Sequence, residues 1–111
     1  MDLKDLEQEI IAFRDARNWE QFHQLKDLIL GLNIEASELA ELFLWKNETE
    51  VAAVDREAVA DELADIYMFL SYLARHFEID LAQAVLQKIQ KNDLKYPVEK
   101  SYNSNKKYTE I

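Results

Sequence analysis

Four acidic residues occur as two pairs with the same spacing, Glu35 with Glu38 and Glu62 with Asp65. Residues three apart on a helix lie on one face, with their Cβ atoms about 5–6 Å apart, so each pair can reach a single cation. Carboxylate oxygens are hard ligands of the kind that Mg²⁺ prefers. If the two pairs lie on facing helices, they form a four-carboxylate cage for a divalent cation.

The position of Glu62 distinguishes this pattern from acidic pairs on an ordinary solvated helix. On a helical projection Glu62 falls among the apolar residues Val59, Ile66 and Phe69, whereas Asp61 points away from them. An ionised carboxylate in a dry core is costly unless it is neutralised. A buried salt bridge or a divalent cation would neutralise it, and the spacing alone leaves both alternatives open.

Helical periodicity runs through nearly the whole chain and predicts an all-α fold. One Gly and one Pro among 111 residues are too few turn residues for an all-β fold. Four helices are expected, at about residues 2–17, 23–45, 54–77 and 81–96. Asp80 and Gln83 resemble a capping box before the fourth helix, and Pro97 ends it. We predict an antiparallel four-helix bundle over residues 1–97 and an irregular tail over 98–111.

The second half of the third predicted helix, residues 63–77, is apolar on most of its faces. Such a helix needs neighbours on several sides, and four helices of this size form only a thin bundle. A second copy of the chain would supply the cover. We therefore expect homo-oligomerisation to complete the bundle, as a homodimer or as a homotetramer made of two dimers.

Composition excludes several classes of protein. The net charge of −9, from 22 acidic and 13 basic residues, argues against nucleic acid and anionic membranes as partners. No apolar run has the length of a transmembrane helix, and the first residues do not resemble a signal peptide, so a cytoplasmic location is expected. The chain has no Cys, which excludes disulfides and thiolate metal sites, and its two His argue against a zinc site.

Two further interpretations remain open at this point. A di-iron carboxylate bundle normally carries two Glu-x-x-His motifs, and this chain has one, from Glu20 to His23, at a helix entrance. A non-catalytic helical interaction module is the other alternative. It predicts that Mg²⁺ has no effect and that Glu62→Ala leaves the fold intact or stabilises it.

The carboxylate pairs resemble the E-x-x-E and E-x-x-D signature of the MazG-like, all-α nucleoside triphosphate pyrophosphohydrolases. Longer segments resemble the dCTP pyrophosphatase branch of that family. These segments are Trp19–His23, Glu38–Trp45, Asp61–Ile66, Asp80–Val85 with Lys88, Asn92, Lys95, Tyr96 and Pro97, and Lys107–Thr109. The resemblance covers roughly residues 10–110.

The resemblance implies a dimer-based, often tetrameric enzyme that hydrolyses (deoxy)nucleoside triphosphates to the monophosphate and pyrophosphate. Its role would be to remove non-standard or excess nucleotides, with dCTP and related deoxynucleotides as the expected substrates. By position, the ligands of Mg²⁺, or of Mn²⁺ in its place, would be Glu35, Glu38, Glu62 and Asp65. Glu38 or Glu41 would accept the proton of the attacking water.

The fourth predicted helix carries the candidate phosphate-binding residues Lys88, Asn92 and Lys95, followed by Tyr96. The first three follow one another at spacings of three and four, so they form one polar stripe beside an apolar face. Where relatives often have Arg, this chain has Lys95, which offers a point charge in place of a bidentate fork. Solvated lysines on an exposed face are the alternative.

Trp19, His23 and Trp45 are the candidates for binding the base, since they offer flat apolar walls and a polar edge. Trp19 and Trp45 flank the two ends of the second predicted helix, which separates its ends by roughly 30 Å. If all three residues reach one pocket, they must therefore come from different subunits. The alternative is that both Trp side chains fill the core.

Overall fold

The structure is a computed structural model that describes residues 1–111, and it is helical with no strand. The helices are α1 (Leu3–Ala16), α2 (Leu25–Glu41), α3 (Glu48–Ala52), α4 (Arg56–His76), α5 (Leu81–Lys95) and α6 (Val98–Ser101). Two 3₁₀ helices cover Trp19–Phe22 and Tyr108–Glu110. The prediction of an all-α fold is confirmed. No helix combines the length and the apolar character that crossing a membrane requires.

Acidic side chains cap the N-termini of three long helices. Asp2 accepts a hydrogen bond from the backbone N–H of Asp5 at 2.8 Å, at the start of α1. Asp80 accepts one from the N–H of Gln83 at 3.1 Å, and α5 begins directly after it, as its motif predicts. Asp55 caps α4 in the same way. Such caps satisfy N–H groups that have no partner inside the helix, which is why these helices begin where they do.

The prediction that the second helix continues to Trp45 is wrong, because α2 ends at Glu41. The following residues form tight turns, in which Phe43 and Leu44 donate to carbonyls only three residues earlier. Trp45 has a φ of 61°, in the left-handed region. A right-handed helix cannot continue through that conformation. Because residues 42–45 are all apolar, the helical periodicity does not show that the helix ends before them.

Two segments predicted to be non-helical contain short helices. The polar break at residues 46–49 includes the start of α3, where Asn47 and Glu50 exchange hydrogen bonds of 2.9 and 3.3 Å in a capping box. The tail predicted to be irregular holds α6 and the second 3₁₀ helix. Pro97 ends α5 and also precedes α6, since its φ of −59° suits a helix start.

The chain forms two compact units, residues 1–78 and 79–111. In the first unit α2 packs along α4, and α1 contacts both α4 and the first 3₁₀ helix. Its buried apolar core consists of Ile10, Ile11, Leu28 and Tyr72. The second unit contains α5, α6 and the second 3₁₀ helix. In it the rings of Tyr96 and Tyr108 pack edge to face, with 5.9 Å between their centroids.

The apolar core of the first unit is small for its content of large apolar side chains. Ile29, Leu30 and Ile34 on α2 remain exposed, and so does Leu63 on α4. These side chains lack apolar cover within the chain. Part of the apolar surface for which the sequence predicts cover therefore stays exposed in the single chain.

Candidate functional site

Three carboxylates meet where α2 packs along α4. Glu35 belongs to α2, and Glu62 and Asp65 belong to α4, one helical turn apart. One oxygen of each of these three side chains lies within 4.8 Å of the others. The packing of the two helices thus brings Glu35 of the first acidic pair to both members of the second pair, and Glu38 is not one of the three. The arrangement is one that a single cation can bridge.

The cluster has no basic partner. One oxygen each of Glu35 and Glu62, Oε2 in both, is buried without a hydrogen-bond donor. The ion pairs of the structure involve Arg14, Lys26 and Arg75, and none of them includes a residue of the cluster. The buried salt bridge considered for Glu62 is therefore not formed. Asp61, by contrast, is exposed, as its position on the helix predicts.

Crowding and burial shift the titration of the cluster. Burial raises the pKa of Glu35 to about 7, and the nearby carboxyl of Glu38 adds to the effect. The charges of Asp65 and Glu62 act in the same direction. The pKa of Glu62 is also raised, first by burial and then by Glu38 and Asp65. Without a cation, these carboxyls therefore favour the protonated form more than free carboxyls do.

The donor set fits a hard divalent cation. Its atoms are all carboxylate oxygens, and two of them are buried with nothing to pair with. His23 is not a member of the group, and neither is any other nitrogen ligand. This composition does not match the two Glu-x-x-His motifs of a di-iron bundle.

Glu38 lies next to the cluster, whereas no contact of the structure places Glu41 there. The negative charge of Glu38 acts on both Glu35 and Glu62 and raises the pKa of each. Glu38 and Glu41 also line an open groove of about 380 Å³, together with Leu30, Asn33, Ile34 and Ser37. The Glu38 carboxylate is therefore close enough to the cluster to accept a proton from a water held there.

An apolar pocket of about 560 Å³ begins at Asp65 of the cluster. Trp19 and His23 both line it, as two of the three predicted base-binding residues. The His23 ring lies 4.5 Å from the Tyr72 ring, and its Nδ1 is buried without a partner. Burial and the charge of Arg14 lower the pKa of His23, so the ring favours its neutral form. The remaining lining residues are Glu9, Ile10, Phe13, Met68, Phe69 and Tyr72.

Trp45 does not join this pocket within the chain. It is 91% exposed and follows the end of α2, whereas Trp19 precedes the start of that helix. Neither Trp is a core residue, since Trp19 is 44% exposed. The interpretation of both Trp side chains as core fillers is therefore wrong.

The predicted phosphate-binding residues belong to the second unit. Lys88, Asn92 and Lys95 are exposed on α5, and Tyr96 follows its last residue. The Nζ atom of Lys95 lies 5.0 Å from the ring centroid of Tyr108, a cation–π contact. Tyr108 thus contacts both the Lys95 ammonium and the Tyr96 ring.

Several residues of the pocket have no distinctive signal in the sequence. Phe69 and Tyr72 look like core residues by their helical spacing, and Glu9 looks like a solvated acid. Helical spacing predicts which residues share a face, but not which part of that face borders a cavity. The one indication in the sequence is that Phe69 and Tyr72 lie one and two helical turns beyond Asp65, on the same face of the helix.

Comparisons with known proteins show the family of the chain. A family model described as MazG-like matches residues 30–111. The dCTP pyrophosphatase 1 proteins of Mus musculus and Homo sapiens are 41% and 40% identical to this chain, over 98% of it and 67% of each relative. The crystal structure of a pyrophosphatase from Archaeoglobus fulgidus superposes with a TM-score of 0.80 at 34% identity, over 86% of this chain and 92% of that one. The chain belongs to the MazG-like family.

Proposed function

We propose that this protein is a nucleoside triphosphate pyrophosphohydrolase that converts dCTP or related deoxynucleoside triphosphates to the monophosphate and pyrophosphate. Its role is to clear such nucleotides from the pool. The observation that carries the proposal is the carboxylate cluster between α2 and α4, with two buried oxygens that have no partner. The names of the relatives, dCTP pyrophosphatase 1, support the substrate class.

In this proposal Glu35, Glu38, Glu62 and Asp65 hold Mg²⁺, with Mn²⁺ able to replace it. When bound, the cation neutralises the phosphate charge and makes a water more acidic. A cation is needed because the protein carries a net charge of −9 and the substrate is itself a polyanion. The proposal rests on the all-oxygen donor set and on the lack of any basic side chain paired with it.

The reaction transfers the α-phosphoryl group to water. A water oxygen attacks the α-phosphorus, the bond from that phosphorus to the α,β-bridging oxygen breaks, and pyrophosphate leaves with the electron pair. Glu38 or Glu41 is proposed to accept the proton of the water, and Glu38 has the structural support, since its charge acts on Glu35 and Glu62. Lys88, Asn92, Lys95 and Tyr96 are proposed to bind the β- and γ-phosphates.

The base occupies the apolar pocket next to Asp65. Trp19 provides a flat wall, and the unpartnered Nδ1 of His23 is free to bind a polar atom of the base. Trp45 reaches the pocket of a second copy, because it is exposed and lies beyond the far end of α2. The working form is therefore a homodimer or a dimer of dimers, in which the exposed apolar residues of α2 and α4 gain cover.

A nucleotide screen tests the activity. The protein is incubated with Mg²⁺ and a panel of ribo- and deoxynucleoside triphosphates, and the products are separated. We expect monophosphate and pyrophosphate, with the highest kcat/KM on dCTP and related deoxynucleotides, and complete loss of activity in EDTA. Release of orthophosphate, or activity that survives EDTA, would contradict the proposal.

A further inference from the structure

Arg14 is the one arginine of the chain that is buried, with 6% of its surface exposed. A guanidinium is costly to bury unless negative groups pair with it. Arg14 has two such partners. Its Nη2 lies 2.9 Å from Asp15 and 3.4 Å from Glu20, and its Nε donates to Asp15 at 3.0 Å.

The two ion pairs differ in what they connect. Asp15 is the next residue on α1, so its pair with Arg14 stays within one helix. Glu20 belongs to the first 3₁₀ helix, beyond Asn18, whose left-handed φ of 51° turns the chain. The pair between Arg14 and Glu20 therefore ties the 3₁₀ helix back onto α1.

That 3₁₀ helix carries one wall of the apolar pocket. Trp19 directly precedes Glu20, and its ring packs edge to face on Phe13 of α1 at 5.8 Å. The helix ends at Phe22, so His23 follows it directly. Trp19 and His23 thus lie on either side of the residue that Arg14 binds, and both line the pocket.

Arg14 lies outside the apolar pocket. It does not line the apolar pocket, but it lines a separate small cavity of about 190 Å³ together with Glu20. His23 and Tyr72 line both cavities, so they form the partition between them. The guanidinium therefore lies beside the small cavity that His23 also lines, outside the apolar pocket.

We propose that Arg14 is a positioning residue for base recognition, because its ion pair with Glu20 holds Trp19 and His23 in place as one wall of the pocket. This inference rests on the proposed function, in that it takes the apolar pocket as the base subsite. It adds a residue that touches neither the carboxylate cluster nor the substrate. It also makes base binding depend on an ion pair on the far side of the wall.

Two variants, each of which replaces a carboxylate by the amide of the same shape, separate this role from a general contribution to the stability of the fold. Glu20→Gln removes the pair that crosses to the 3₁₀ helix, and Asp15→Asn removes the pair within α1. Both side chains are at least half exposed, so neither change empties the core. We expect KM for dCTP to rise about threefold in Glu20→Gln, with kcat and the melting temperature nearly unchanged, and to stay at the wild-type value in Asp15→Asn.

Inorganic tripolyphosphate serves as a probe that has the phosphate chain and no base. Its inhibition constant against dCTP hydrolysis is expected to be the same in the wild type and in Glu20→Gln. An equal weakening of tripolyphosphate and dCTP would overturn the proposal, and so would an equal rise in KM for Asp15→Asn.

Trp19 fluorescence gives a readout that needs no activity. In a Trp45→Phe background Trp19 is the only Trp, and we expect its emission to shift to longer wavelength on Glu20→Gln but not on Asp15→Asn. An unchanged spectrum in Glu20→Gln would overturn the positioning role. If the wild type hydrolyses no nucleotide, the proposed function fails, and the fluorescence comparison still decides whether the ion pair holds this wall.

Discussion

Gly31 on α2 lies against the ring of Phe69 on α4, so closely that a Cβ atom at position 31 would overlap ring carbons Cε1 and Cζ. A Gly inside a helix costs about 1 kcal/mol relative to Ala. Here it lets the two helices approach at the level of the apolar pocket, which Phe69 lines. The only Gly of the chain is therefore explained by packing beside the proposed base subsite.

Gly31→Ala is expected to lower stability, although Ala is the better helix former. The new methyl group forces the Phe69 ring to move, and such overpacking costs about 1–3 kcal/mol, which outweighs the propensity gain. Displacement of a lining residue should also raise KM for dCTP. Thermal unfolding and initial-rate kinetics measure the two effects.

Phe69→Leu and the double variant provide the control for this change. A smaller side chain at position 69 leaves room for the methyl group, so Gly31→Ala should cost less in the Phe69→Leu background than in the wild type. A Gly31→Ala protein that melts at or above the wild-type temperature, with an unchanged KM, would contradict the packing explanation.

Glu62→Gln is expected to abolish turnover and to leave helix content nearly unchanged. The amide keeps the shape of the side chain but removes the charge that a cation needs. In EDTA the variant should also unfold at a higher denaturant concentration than the wild type, because one of several crowded carboxylates is neutralised. Asp61→Asn, a change at the adjacent exposed acid, is the matched control and should behave like the wild type.

Activity of Glu62→Gln above about a tenth of the wild-type value, a difference of some 1.4 kcal/mol in transition-state stabilisation, would show that Glu62 is not a principal ligand. Loss of helix content together with activity would point to a structural role. An interaction module without catalysis would show no response of either protein to Mg²⁺.

The raised pKa of Glu35 predicts how the cation-free protein responds to pH. The carboxyl titrates at about 7 in the folded state, against an ordinary value of 4.5. Between these values the folded state holds the proton more tightly than the unfolded state, so the free energy of unfolding falls as the pH rises from 4.5 to about 7. Below that window the contribution of this carboxyl is constant.

Denaturant unfolding in EDTA at several pH values, for the wild type and for Glu35→Gln, isolates this contribution as a difference. The difference is needed because His23, whose pKa is lowered, changes stability in the opposite direction over part of the range. Saturating Mg²⁺ should reverse the trend, since the ligands must be deprotonated to bind it. A wild-type and a Glu35→Gln curve that run parallel from pH 4.5 to 7 would contradict the prediction.

The acidic cluster was predictable because it depends on short-range spacing. Glu62 and Asp65 must share a helix face, and Glu62 must lie among apolar neighbours whatever the helix packs against. That Glu35 meets them required only that α2 and α4 be neighbours. The resemblance to a family with the same motif pairs made this step much more specific than the spacing alone.

The elements around the pocket were less predictable, since they depend on local conformation and on contacts between helices. Nothing in the periodicity shows that Trp45 takes a left-handed φ, because Leu42, Phe43 and Leu44 continue the apolar pattern. The periodicity also does not predict that Arg14 is buried. It follows from the turn at Asn18, which brings Glu20 back to α1.

Trp45→Ala is expected to weaken nucleotide binding and to leave the fold and the metal site intact. The side chain is 91% exposed, so its removal empties no core. Loss of one stacking surface should raise KM for dCTP about tenfold, while Mg²⁺ affinity stays nearly constant. Leu44→Ala, a change at the preceding exposed residue, is the control and should leave KM near the wild-type value.

Subunit mixing tests whether Trp45 acts on a second copy. Trp45→Ala and Glu62→Gln chains are each defective, but a mixed dimer would contain one site with an intact cluster from the first chain and an intact Trp45 from the second. Co-refolding the two variants should therefore restore part of the activity at low dCTP concentration. If each chain used its own Trp45, every site would lack one of the two groups, and the mixture would show no more activity than the sum of its components.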